Sequence, residues 1–234
     1  MKEALLAISL LFPLIALGEI PLSERKSGYE FMSRETKAMQ DDEVTGPAAL
    51  ALLDGEALWA KLGCASCHAD MKGVAARYPA MVGGKLTTLE QQVRHKNPEL
   101  KYESRELLAL TAYVARQSRG LPIEVKPVQP NLDAGQAFFF KRQGQLNLAC
   151  SQCHDDNWGK KLAGAPIPQA HPTGYPIYRL EWQGMGSLSR RLRNCLTGMR
   201  AELLPQGSPE AADLELYLMW RARGMKMEAP AVRP

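Results

Sequence analysis

Cys64-Ala65-Ser66-Cys67-His68 and Cys150-Ser151-Gln152-Cys153-His154 decide how this chain folds. Each is a CxxCH pentapeptide, the attachment pattern of c-type haem. Its two thiols reach the porphyrin vinyl groups as thioethers, and the histidine that follows turns beneath the iron as its proximal ligand. The attachment residues are therefore Cys64, Cys67 and His68 in the first half and Cys150, Cys153 and His154 in the second, which predicts two covalently attached haem c groups. A zinc ribbon needs no histidine after each cysteine pair. Only five Cys and four His occur in 234 residues, so chance does not account for two such motifs.

The flanks of the motifs repeat too, which indicates an internal duplication. Upstream, Gly55-Glu56-Ala57-Leu58 parallels Gly135-Gln136-Ala137-Phe138. Downstream, Leu89 and Val93 match Leu188 and Leu192, an apolar pair four residues apart on one helix face. Leu110, Tyr113, Val114, Arg119 and Gly120 match Leu214, Tyr217, Leu218, Arg223 and Gly224, two closing helices each ended by glycine. Each half reads as helix, CxxCH, long loop, helix, helix. The expected fold is mostly α: a tandem duplication of two class I cytochrome c-like domains behind an N-terminal extension. No strand pattern persists far enough for a substantial sheet. The stretch Pro122 to Pro130 carries three prolines and no helical period, so it marks the boundary. The expected units are a signal peptide (1–18), the extension (19–45), a first domain (46–126) and a second (127–234).

Composition fits this reading. With 45% hydrophobic and 23% charged residues the chain is an ordinary globular protein. A net charge of +4 is too mild for a nucleic-acid binder and suits a site for small anions. The segment Met1 to Gly18 has a basic start, an apolar run and small residues at Ala16 and Gly18. That pattern predicts a cleaved export signal, a periplasmic protein and no membrane anchor afterwards.

Each iron needs a ligand on its far side. Cys195 is the only cysteine outside the motifs, so in an exported protein it is a reactive thiol, an intermolecular bridge or a metal ligand. His171 is its competitor for the second iron. In the first half the positions matching Asn194-Cys195 are His95 and Lys96. His95 is the better metal ligand by chemistry rather than by register, with Met71, Met81 and Lys96 as alternatives.

At this point the chain resembles the SoxA family, the larger subunits of the SoxAX cytochromes of bacterial sulfur oxidation. The likeness rests on Lys26-Ser27-Gly28-Tyr29-Glu30-Phe31-Met32-Ser33, Met39-Gln40-Asp41-Asp42-Glu43, Gly144-Gln145-Leu146-Asn147-Leu148 and Ile167 to Pro176. It is strongest in Arg190-Arg191-Leu192-Arg193-Asn194-Cys195 and Tyr217-Leu218-Met219-Trp220-Arg221-Ala222-Arg223-Gly224. The resemblance implies a heterodimer with the small haem protein SoxX, acting on the SoxY–SoxZ carrier. The implied reaction is an L-cysteine S-thiosulfotransferase reaction: thiosulfate is joined oxidatively to a SoxY cysteine, and two electrons pass to SoxX and a cytochrome c. It also implies His154 and Cys195 as metal ligands of the second haem, with Cys195 often a persulfide in the family. Several two-haem relatives have a cysteine in the region of His95-Lys96, and this chain has none there.

A dianionic substrate calls for fixed positive charge. Arg191 lies four residues before Cys195 and shares its helix face, and a guanidinium meets sulfonate-like oxygens in a bidentate fashion. Arg221, on the closing helix, is the second candidate. The expected catalytic set is thus Cys195, Arg191 and Arg221. The rival functions are a thiosulfate dehydrogenase forming tetrathionate, a non-enzymatic dihaem electron-transfer cytochrome and a dihaem peroxidase.

Overall fold

Gly55 and Gly135 set the two helix crossings around which the molecule is built. The computed structural model describes residues 20–68 and 70–234, so the expected signal segment lies outside the described residues. The helices are α1 (Arg34–Asp41), α2 (Ala49–Lys61), α3 (Leu89–Lys96), α4 (Arg105–Arg116), α5 (Asn131–Phe140), α6 (Cys150–His154), α7 (Leu188–Gly198) and α8 (Pro209–Arg221). In the first half α2 packs across α4, and in the second α5 packs across α8. A Cβ on Gly55 would overlap the Ala109 carbonyl oxygen and lie 2.7 Å from Tyr113 Cβ. A Cβ on Gly135 would overlap the Asp213 carbonyl oxygen and lie 2.8 Å from Tyr217 Cβ. Only glycine lets the two backbones approach this closely. The paired residues read from the sequence therefore encode one crossing used twice.

The helices after each motif start alike. Thr88 and Ser187 accept from the backbone N–H groups of Gln91 and Arg190, and Ser104 and Ser208 from those of Leu107 and Ala211. Such caps satisfy N–H groups that have no partner within the helix. The apolar faces close inward: Leu107, Leu108, Leu110 and Val114 are buried on α4, and Leu214, Leu216 and Leu218 on α8. The predicted order of helix, motif, loop, helix, helix holds in both halves.

The loops carry short strands: β1 (Ala80–Val82), β2 (Lys85–Thr87), β3 (Lys161–Leu162), β4 (Ala165–Pro166), β5 (Ile177–Arg179), β6 (Gly184–Gly186) and β7 (Ala231–Arg233). β1 and β2 form a hairpin ahead of α3, and β5 and β6 the matching hairpin ahead of α7. β7 adds to β5 in parallel, with Ile177 opposite Ala231 and Arg179 opposite Arg233, which gives a small mixed sheet ordered β6-β5-β7.

Two seams tie the halves together. The Gly120 N–H donates to the Met227 carbonyl (2.8 Å) and Ile123 N–H to that of Met225 (2.8 Å), while Met227 and Gly224 donate back to Leu121 and Ile123. Ile123 and Val125 are buried, so the proline-rich stretch is laid into the core rather than left as a tether. The extension wraps the second half. The Lys26 N–H donates to Gln169 Oε1 at 2.6 Å, and the Val232 N–H to Gln40 Oε1 at 3.2 Å.

Candidate haem cleft of the second half

The loop between α6 and α7, α7 itself and the extension line an open cleft. His154 and Cys195 both line it, one from the end of α6 and the other from α7. Most of the wall between them is apolar, with Met32, Pro168, Ile177, Leu188, Leu192 and Leu218.

His154 is held in one tautomer. Its Nδ1 lies 2.6 Å from the Pro168 carbonyl oxygen, which can only accept, so Nδ1 carries the proton and Nε2 keeps its lone pair. Burial pushes the His154 pKa down, against the pull of the Pro168 carbonyl, so the ring is neutral. A neutral imidazole with its far nitrogen anchored is the state in which histidine ligates metal. Cys150 and Cys153 are free thiols, and burial pushes Cys150 up to about 12. Thr173 is 1% exposed, lines the cleft and has an Oγ1 with no partner. A large apolar group with polar substituents, bonded through two thiols and one imidazole, fits these residues. Haem c is such a group.

The arginines separate. Arg191 lines the cleft with Cys195, as their four-residue spacing predicts, and its guanidinium has no partner among the described residues. Arg190 stacks over Trp182 at 4.2 Å, and Arg193 donates to the Leu204 carbonyl at 2.7 Å. Arg221 is elsewhere. It is 5% exposed, pairs with Asp155 at 2.5 Å and lies over the rings of Phe139 and Tyr217. Asp155 directly follows His154, so Arg221 ties the end of the motif to α8 rather than facing the cleft. A charge buried this way depends on its partner. His171 also lines the cleft. Its Nδ1 lies 3.0 Å from the Lys26 carbonyl oxygen, and burial lowers its pKa to about 4.

The first motif is differently housed. Cys64–Ser66 is a single 3-10 turn, Cys67 and His68 are exposed, and the His68 ring stands 6.1 Å from that of Trp59. His95 and Lys96 are exposed at the C-terminal end of α3. Met81 is also exposed, and Met71 is half-buried.

Sequence reasoning missed Pro168, Thr173 and Arg179 as cleft residues. Pro168 and Thr173 fall within the Ile167 to Pro176 stretch already singled out. Arg179 carried no signal, because its place depends on a three-residue strand.

The SoxA/TsdA cytochrome c domain model matches residues 54–123 and again 134–227, most of the chain. The L-cysteine S-thiosulfotransferase subunit SoxA of Pseudaminobacter salicylatoxidans is 34% identical over 91% of this chain and 82% of its own length. That of Paracoccus pantotrophus is 31% identical over 88% of this chain and 78% of its own. The crystal structure of SoxXA from P. pantotrophus superposes with a TM-score of 0.86 at 30% identity, covering 90% of this chain and 87% of that one. With a duplicated cytochrome fold, a cleft lined by His154 and Cys195, and relatives aligned along nearly its whole length, the chain belongs to the SoxA family.

Proposed function

We propose that this protein is the catalytic cytochrome subunit of an L-cysteine S-thiosulfotransferase. It joins thiosulfate to a cysteine of a SoxY-type carrier, in a periplasmic complex with a SoxX-type haem protein. The observation that carries this reading is that Cys195 and Arg191, whose guanidinium has no partner among the described residues, open into the same cleft as His154. A simple electron carrier has no use for an arginine without a counter-charge beside a lone cysteine.

The balance of the reaction is explicit. A carrier thiol and thiosulfate give the S-thiosulfonate, one proton and two electrons, with one S–S bond formed and one S–H bond broken. Haem c, when bound, supplies an iron that takes electrons singly. His154, through the free Nε2, and Cys195 are the residues that would hold that iron. Arg191 orients the dianion by its sulfonate oxygens, which turns the sulfane sulfur toward Cys195. The apolar part of the wall, with Ile177, Leu188 and Leu192, limits water around the S–S bond. Arg221 keeps the His154 end of α6 in place through Asp155 and does not touch substrate. The first motif would hold a second haem c through Cys64, Cys67 and His68, with His95 the residue we assign as its other ligand.

The test is an assay of the purified complex with thiosulfate and carrier protein, with products resolved by mass. A carrier adduct is expected. Tetrathionate as the main product would instead make the protein a thiosulfate dehydrogenase, and neither product would make it an electron carrier.

A further inference from the structure

Arg179 stands at the end of β5 and lines the same cleft as Arg191 and Cys195. Its side chain is only 12% exposed. One terminal nitrogen meets Glu181 at 2.8 Å, and that carboxylate is 61% exposed, on the solvent side. Its Nε is fully buried and donates to nothing. The guanidinium lies 5.3 Å from the centre of the Trp182 ring, whose plane also carries Arg190 at 4.2 Å. Trp182 thereby fixes the guanidinium's direction, since cation–π contact favours the ring face.

A buried N–H donor without an acceptor is costly, and natural structures rarely tolerate one without a reason. Here Arg191 adds a second guanidinium, one with no partner among the described residues. Burial lowers the Arg179 pKa, and the charge of Arg191 lowers it further, so the two cations are close enough to repel. One solvent-facing carboxylate does not neutralise two guanidiniums that line one cleft. An anion with a double charge and several oxygens does.

We propose that Arg179 is a second anion-binding residue of the cleft, its buried Nε–H and the Arg191 guanidinium together gripping a sulfonate-type dianion. This rests on the reading of the cleft as the thiosulfate site and deepens it. Arg191 supplies charge beside Cys195, and Arg179 supplies a fixed donor that selects a doubly charged oxyanion. Arg179 binds substrate and takes no part in bond making.

The experiment uses the haem-loaded complex with its haem-protein partner. Wild type, Arg179→Gln, Arg179→Lys and Arg191→Gln are compared for thiosulfate affinity by calorimetry, for KM and kcat with carrier protein, and for haem content and visible spectrum. Arg179→Gln is expected to weaken thiosulfate binding and raise KM by about 10- to 100-fold, with kcat within about threefold and an unchanged spectrum. Arg179→Lys keeps the charge, loses the Nε–H and is expected to fall between. It also provides the measurement should the glutamine variant fail to fold. Weakened binding in Arg191→Gln but not in either Arg179 variant overturns the proposal and leaves the thiosulfate reading standing. Loss of haem or a shifted spectrum in Arg179→Gln, with thiosulfate affinity intact, overturns it in favour of a haem propionate partner. Unchanged affinity in all three variants defeats the thiosulfate reading of the cleft and the proposal with it.

Discussion

The two CxxCH motifs sit on the same scaffold in opposite surroundings. Both follow a helix pinned by a glycine, and both precede a hairpin and a capped helix. Yet His154 is half-buried, fixed by Pro168 and faces a cleft, while His68 is exposed beside Trp59. The helix after the second motif carries Cys195 into the cleft, and the helix after the first ends in the exposed pair His95 and Lys96. The difference comes from what was added around the duplicated core. The longer loop with β3 and β4 and the returning strand β7 belong to the second half, and the extension packs on that loop through Lys26 before its Glu43 reaches Arg116 of the first half. One copy is walled in, and the other keeps the barer frame.

The sharpest way to break this comparison is to remove the cysteines from one copy at a time. Cys195→Ser is expected to lower carrier conjugation by at least about 10²-fold with haem still attached, since it removes a group held to act on substrate. The double variant Cys64→Ala, Cys67→Ala is expected to fold, lose one haem by mass and keep conjugation within about threefold. If the first variant stays active, or the second is dead, the division of labour between the copies is wrong.

A second test uses acid. His171 has a pKa near 6.5 unfolded and about 4 folded, so between these values the unfolded chain binds more protons. Stability should therefore fall as pH drops from 6.5 toward 4, by up to about 3 kcal/mol from this residue. His171→Asn, which can keep the contact to the Lys26 carbonyl, should flatten that slope in thermal melts. The seam between the halves behaves in the opposite sense. Burial raises Glu90 to about 8 and Glu215 to about 7. Their contribution is present below pH 4.5 and is lost as pH rises through those values. Glu215→Gln should retain stability between pH 5 and 8 that the wild type loses. Unaltered slopes in both variants would separate these residues from the pH response.

The glycine pair sharpens the comparison further. Gly55→Ala and Gly135→Ala each force a methyl group against a carbonyl oxygen, at about 1–3 kcal/mol apiece. Melting should register both, while thiosulfate affinity should change only in Gly135→Ala. Equal effects on affinity would mean that the halves do not act separately. The smallest effect is expected at His95. His95→Ala should alter the spectrum of one haem and leave conjugation unchanged.

How much of this was legible in the sequence differs by element. The motifs, the repeat and the helix order were readable, because cysteine chemistry and helical spacing are local. Gly55 and Gly135 were visible as a match, but their meaning was steric and needed the crossing helices. Arg191 could be placed with Cys195, since four residues on one helix fix a shared face. Arg221 could not be placed, because its direction depends on how α8 meets α6, and there Asp155 claims it. β5 and β7 were not foreseen. Three-residue strands carry no alternation to read, and their parallel pairing joins residues more than fifty positions apart. Arg179 was hidden for the same reason.

The central claim is that Cys195 and His154 face each other across the second haem. A crystal structure of the haem-loaded complex, read together with its low-temperature electron paramagnetic resonance spectrum, tests it most directly. The Cys195 sulfur and the His154 Nε2 are expected on opposite faces of one iron, with a thiolate-ligated low-spin signal. Methionine sulfur or a second imidazole on that iron, with Cys195 turned into the protein, would contradict it.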